Sequence, residues 1–149
     1  MSERHPIISI TGSSGAGTSS VTQTFENIFR REGIDAAIIE GDSLHRYDRK
    51  EMKIKLAEAE KAGNKNFSHF GPENNLFPEL EALFHDYATT GNGKRRKYLH
   101  DEKEAAPYKQ EPGTFTPWES LPEDTELLFY EGLHGAVVTP QVNVAQYPD

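Results

Sequence analysis

The stretch from Ile7 to Ser19 constrains this chain more than any other part of it. The β-branched run Ile7-Ile8-Ser9-Ile10-Thr11 breaks into Gly12-Ser13-Ser14-Gly15-Ala16-Gly17-Thr18-Ser19, and a helical pattern starts at once. The glycine and serine segment matches G-x-x-x-x-G-K-[ST] at every fixed position except the lysine, which is Thr18. Glycines let the backbone wrap closely enough for its N–H groups to face phosphate oxygens, and the helix N-terminus adds partial positive charge. Ser19 is placed to ligand Mg²⁺. The absent lysine ordinarily reaches the β- and γ-phosphates, so a cation from elsewhere must neutralise the charge that develops there. The sequence offers no obvious donor. A plain turn and helix cap is the alternative for the cluster in isolation.

The surroundings favour a nucleotide loop. From Thr18 to Arg31 the apolar residues Val21, Phe25, Ile28 and Phe29 share one helical face, and Gly33 supplies a stop. Residues 36–40 read as a second strand, so the opening is a βαβ unit with a parallel sheet. Residues 49–62 form a charged helix ended by Gly63, and a third helix carries Leu76, Leu80, Leu83, Phe84 and Tyr87 before Gly91-Asn92-Gly93 breaks it. The polar stretch 94–118, with Pro107, Pro112 and Pro117, predicts short strands and turns outside the main sheet, an excursion over about 91–120. Leu127-Leu128-Phe129-Tyr130 reads as a central strand that ends before Glu131-Gly132. The expected fold is α/β: a P-loop NTPase-type parallel sheet with flanking helices, a single domain over 1–149 that looks truncated, since three strands leave the sheet unfinished.

Two carboxylates stand at strand ends, where open α/β sheets bind ligands. Glu131 suits a hard cation that prefers oxygen ligands, and makes a metal pair with Ser19. Asp42, in Glu40-Gly41-Asp42-Ser43, is the best general-base candidate, because phosphoryl transfer to a hydroxyl needs a proton acceptor. Its alternative is a helix cap. His45, Arg49 and Lys53 recur every four residues and would share a helical face, as cations toward an anion or as a solvated charged face. Lys94-Arg95-Arg96-Lys97, just before Tyr98 and His100, reads as solvated surface, and Arg30 and Arg31 as helix-dipole partners.

Composition excludes several classes. With 16 Lys+Arg against 24 Asp+Glu, the net charge of −8 argues against nucleic acid or an anionic membrane as partner. No apolar run reaches membrane-span or signal-peptide length, and there is no cysteine, so a soluble cytoplasmic protein without disulfides or a Cys-based zinc site is expected. An NAD(P)-dependent short-chain dehydrogenase is a rival on the loop alone. However, Thr11 to Gly17 is one residue too short for the Thr-Gly-x-x-x-Gly-x-Gly pattern, and none of the 6 tyrosines has lysine four positions later.

Four segments together resemble the bacterial phosphoribulokinase family: Pro6–Thr18, Glu40–Arg46 (Glu-Gly-Asp-Ser-Leu-His-Arg), Phe67–Glu73 (Phe-Ser-His-Phe-Gly-Pro-Glu) and Leu128–Gly135 (Leu-Phe-Tyr-Glu-Gly-Leu-His-Gly). Thr18 in place of lysine is that family's own pattern. The resemblance implies transfer of the γ-phosphoryl group of ATP, with Mg²⁺, to ribulose 5-phosphate, the chemistry of the Calvin cycle. It implies Asp42 as catalytic base, Glu131 as the acid handling Mg²⁺, and residues 12–20, Ser20 included, as the ATP loop. His45 and Arg49 would bind ribulose 5-phosphate, with Lys53, Tyr98 and His100 as further candidates for that pocket. It also implies homo-oligomers and response to NADH and AMP. The family continues past Asp149 with further strands, a lysine, arginines and a second acid. The 149 residues alone are therefore expected to be a poor kinase or none, and a non-catalytic nucleotide-binding module is the alternative.

Overall fold

The computed structural model describes residues 4–13 and 16–149. Its centre is a three-stranded parallel sheet in the order β1 (Ile7–Thr11), β7 (Leu127–Gly132), β2 (Ala36–Glu40). The last strand in sequence lies in the middle, and it carries the most apolar run: Leu128, Phe129 and Tyr130 are at most 1% exposed. A strand covered on both faces must be apolar at consecutive positions, as this one is.

Two helices supply the cover. Helix α1 (Thr18–Glu32) lays Phe25 and Phe29 on Phe129, with ring centroids 5.1 and 5.7 Å away. Its C-terminus is closed by Gly33 at φ 67°, whose N–H faces the carbonyls of Arg30 and Phe29. On the other face, α3 (Phe77–Thr90) packs Phe84 edge-on against Tyr130 at 5.6 Å, within a core that also holds Ile7, Ile39, Leu80, Leu83 and Tyr87. Helix α2 (Arg49–Lys61) begins at Asp48, whose carboxylate accepts the N–H of Glu51 at 2.9 Å.

The excursion after α3 consists of two small antiparallel pairs. Strand β3 (Lys94–Arg95) pairs with β6 (Glu119–Ser120), and β4 (Tyr98–Leu99) with β5 (Thr114–Phe115); the four-residue helix α4 (Glu102–Ala105) lies between β4 and β5 in sequence. Among the described residues no helix is long and apolar enough to cross a membrane.

Four expectations need correction. Val21 is 39% exposed, because the sheet contact of α1 is made further along, by Phe25 and Phe29. Leu76 caps α3 instead of lying in it, its N–H bonded to the Leu44 carbonyl at 2.8 Å. Strand β7 runs on to Gly132, since pairing with β1 and β2 continues through Glu131. The basic run 94–97 is solvated only at its ends: Lys94, bonded to Ser120, and Lys97, over the Tyr108 ring, are exposed, whereas Arg95 and Arg96 are half-buried.

Candidate active site

The carboxyl ends of the three parallel strands open into a cleft of about 340 Å³. Chain position alone brings several groups there, because each strand hands its next residues to that edge. Gly12 and Ser13 come from the loop after β1, Thr18 and Ser19 from the first turn of α1, Asp42 and His45 from the turn after β2, Glu131 from the end of β7 and His134 from just beyond it. His100 reaches in from the excursion.

The phosphate loop is fixed at both ends. The N–H of Gly12 donates to the Gly132 carbonyl at 3.2 Å, and the N–H of Ala16 to Ser13 at 3.0 Å. Gly17, at φ 86°, turns the chain into α1 through the left-handed region that favours glycine. Ser14 and Gly15 lie outside the described residues. Thr18 and Ser19 line the cleft, while Ala16, Gly17 and Ser20 are exposed at the start of α1 and do not. On the far side β2 and β7 nearly touch: a Cβ on Gly41 would lie 2.9 Å from the Cα of Gly132 and 2.7 Å from the Tyr130 hydroxyl. Only glycine lets the Asp42 turn pass so close to Glu131.

Glu131 lies two residues beyond Phe129 and so on the α1 face of the sheet, in register with Glu40 on β2. Burial raises the Glu40 carboxyl above its ordinary range; His100 offsets part of this, and Glu104, Asp42 and Glu131 add to it. The donors suited to Mg²⁺ are oxygens, the Ser19 hydroxyl and the Glu131 carboxylate, both on this cleft. Among the described residues there is no group of three or more His, Cys, Asp or Glu that could hold a metal. Mg²⁺ typically takes one or two carboxylates with substrate phosphates, which this pair can provide.

Asp42 does not cap a helix. It sits in a 3-10 turn (Gly41–Leu44) that shows no side-chain cap bond, and its Oδ2 is 3.0 Å from His100 Nε2 while its Oδ1 is 4.0 Å from His45 Nε2. A carboxylate with one oxygen held and the other toward the cleft can accept a proton in a defined direction.

A second cavity of about 390 Å³ adjoins the cleft at His45 and collects Arg49, Lys53 and Tyr98. The helical row expected for His45, Arg49 and Lys53 is only partly formed. Asp48 starts α2 at Arg49, so His45 remains in extended backbone (φ −65°, ψ 145°), bridged to Asn75. Arg49 bonds the His100 carbonyl through Nη2 at 2.8 Å and lies 6.0 Å from the centre of the Tyr98 ring. Burial pulls the His45 imidazole below its ordinary pKa, Asp42 opposes this, and His69, Arg96 and His100 reinforce it.

Three contributors escape the sequence reading. Arg96 donates to the carbonyls of Ser43 (2.7 Å) and His45 (2.6 Å), between the rings of Phe115 (3.6 Å) and Trp118 (4.7 Å), and so holds the turn that carries Asp42. His69 joins the cationic cavity from a loop clipped by the buried Asn75, whose amide bonds the carbonyls of His69 and Gly71. Glu104 sits behind His100. No short spacing signals Arg96 or His69, whose partners lie 53 and 6 residues away in sequence, although the aromatic residues at 115 and 118 hint at a partner for Arg96; Glu104 stands four residues after His100, the spacing that brings side chains together on a helical turn.

The description "Phosphoribulokinase / Uridine kinase family" belongs to the family model that matches residues 7–149. The chain is 74% identical, over 100% of its length and 51% of the relative's, to the chromosomal phosphoribulokinase of Cupriavidus necator. It is 62% identical, with the same coverage, to the phosphoribulokinase of Nitrobacter vulgaris. The solved phosphoribulokinase from Rhodobacter spheroides superposes with a TM-score of 0.87 at 49% identity, covering 98% of this chain and 49% of that one. The chain thus spans about half the length of the curated relatives it matches.

Proposed function

This chain belongs to the phosphoribulokinase / uridine kinase family, and on that premise we propose that the protein carrying it phosphorylates ribulose 5-phosphate with ATP to give ribulose 1,5-bisphosphate. The observation that carries the reading is one continuous site: phosphate loop, Asp42 and Glu131 on one cleft, joined through His45 to a cavity with Arg49 and Lys53.

Each part has a role. The loop residues Gly12 to Ser20 hold the ATP phosphates with backbone N–H groups and the α1 N-terminus. Ser19 and Glu131 would hold Mg²⁺, which supplies neutralisation of charge between the β- and γ-phosphates. Arg49 and Lys53, with His45, Tyr98 and His100 around them, bind the phosphate of the acceptor and so orient its far hydroxyl. Asp42 takes the proton of that hydroxyl as its oxygen bonds to the γ-phosphorus and the bond to the β-phosphate oxygen breaks, releasing ADP. Homo-oligomers, response to NADH or AMP, and a cytoplasmic location are further proposals carried by the resemblance.

A second reading, nucleotide binding without turnover, applies to the 149 residues alone, because no lysine or arginine lines the cleft among the described residues. The test is ADP release by the full-length protein with Mg-ATP, with and without ribulose 5-phosphate. Release should depend on the sugar phosphate, and Asp42→Asn and Glu131→Gln should each lower kcat by about 10²–10⁴-fold. Full activity in Glu131→Gln would sink the metal assignment; release independent of any acceptor would sink the kinase reading.

A further inference from the structure

His100 is bracketed by two carboxylates. Its Nε2 is 3.0 Å from Asp42 Oδ2 and its Nδ1 3.0 Å from Glu104 Oε2, an oxygen that also accepts the backbone N–H of His100 at 2.9 Å. A neutral imidazole carries a single N–H, so one ring nitrogen would turn its lone pair on an anion; only the imidazolium satisfies both contacts. The other groups around the ring do not alter this. Tyr98 presents its ring edge-on at 4.8 Å, Arg49 bonds the backbone carbonyl of His100, and Glu40 and His45 act through space.

We propose that Glu104 is a positioning residue for phosphoryl transfer: by binding both the backbone and the ring of His100 it keeps that ring doubly protonated, so that the Asp42–His100 pair enters the cleft as a neutral unit. The inference rests on the kinase reading. Without Glu104 the ring loses its proton more readily, and Asp42 faces the incoming phosphates as an uncompensated anion. With it, the unpaired negative charge is Glu104's own, set behind the ring at a residue that does not line the cleft. The arrangement also places a cation in a cleft whose phosphate loop has Thr18 where lysine is usual.

The direction of titration agrees. Burial alone would lower His100, but the hydrogen bonds to Asp42 and Glu104 outweigh it and lift the ring above its ordinary pKa. A raised histidine keeps its proton below the ordinary value and loses it as pH rises through the folded value. Removing Glu104 lowers that folded value. Wild type and variant therefore differ only in the window between the two values, and converge below it, where both rings are charged, and above it, where both are neutral.

The experiment compares full-length wild type, Glu104→Gln and the neighbouring Glu102→Gln, which removes the same charge from an exposed position. It reads kcat/KM for ribulose 5-phosphate across the pH range and the ring titration of His100 by NMR. Glu104→Gln should lose roughly tenfold in kcat/KM within the window between the two titration values, recover toward wild type in acid, and show a lowered His100 titration, with Glu102→Gln unchanged. A deficit constant with pH, or an unmoved His100 titration, overturns the proposal. Should the glutamine variant fold poorly, Glu104→Asp, charged but shorter, should show the same pH-dependent deficit in smaller measure, and a wild-type profile there overturns it equally. A wild type that binds Mg-ATP but does not turn over ribulose 5-phosphate sinks the acceptor reading instead, and the ring titration alone then decides the hold of Glu104 on His100.

Discussion

The parallel sheet and the 94–120 excursion meet at the same cleft but are held by different forces. In the sheet, β7 is clamped between β1 and β2, and apolar rings cover it on both faces. The excursion has strands of only two residues. Polar side chains bonded to backbone hold it: Arg96 reaches the distant carbonyls of Ser43 and His45, and Gln110 closes the local turn on the Phe115 carbonyl at 2.7 Å. The sheet provides a rigid floor for the phosphate loop and Glu131, while the excursion delivers His100 to Asp42 through bonds that depend on single residues. Burial of apolar surface is spread over many contacts; a charge-assisted bond to a carbonyl fails all at once.

That contrast breaks most sharply at Phe129. It is fully buried against Phe25 and Phe29, so Phe129→Ala should cost about 3–5 kcal/mol in chemical denaturation. All probes should lose stability together, because the cavity lies beneath every strand. Arg96→Ala should cost less, about 2 kcal/mol, since it removes two charge-assisted bonds and two ring contacts at a half-buried side chain. Its signature is local: hydrogen exchange should quicken over 43–45 and 94–118 while the amides of β1, β2 and β7 keep their protection. Equal loss of protection in sheet and excursion would show that the two are one cooperative unit.

The same difference explains what was legible in the sequence. Strand β1, the glycine turn, α1 and β2 announce themselves by period and by glycine, because backbone geometry at each residue depends on near neighbours. Asp42 and Glu131 were readable for a related reason: a residue just past an apolar run in a parallel sheet must face the ligand edge. His45 shows the limit. Its four-residue spacing from Arg49 predicted a shared helical face, yet Asp48 starts the helix one residue before Arg49, and His45 reaches the pocket from extended backbone instead. Within the basic run 94–97, Lys94 and Lys97 are exposed as the pattern suggests, but Arg96 is half-buried between Phe115 and Trp118, a placement decided by residues some twenty positions away. Glu104 stands at a readable spacing, four residues after His100, but no pattern tells that its carboxylate takes both the backbone N–H and the ring of that histidine.

The smallest effect tests the sequence pattern where it overreached. By period alone Val21 belongs to the same stripe as Phe25 and Phe29, and a polar residue there should then cost as much as any buried aliphatic loss. In the structure Val21 is 39% exposed, one turn into α1, and its N–H bonds the Gly17 carbonyl at 3.2 Å whatever its side chain. Glutamine is also a better helix former than valine, whose branched Cβ loses freedom against the preceding turn. Val21→Gln should therefore change unfolding free energy by no more than about 0.5 kcal/mol in either direction. A loss of several times that would mean Val21 is covered in the working protein, and that the covered face of α1 reaches from the sheet contact of Phe25 up to the phosphate loop.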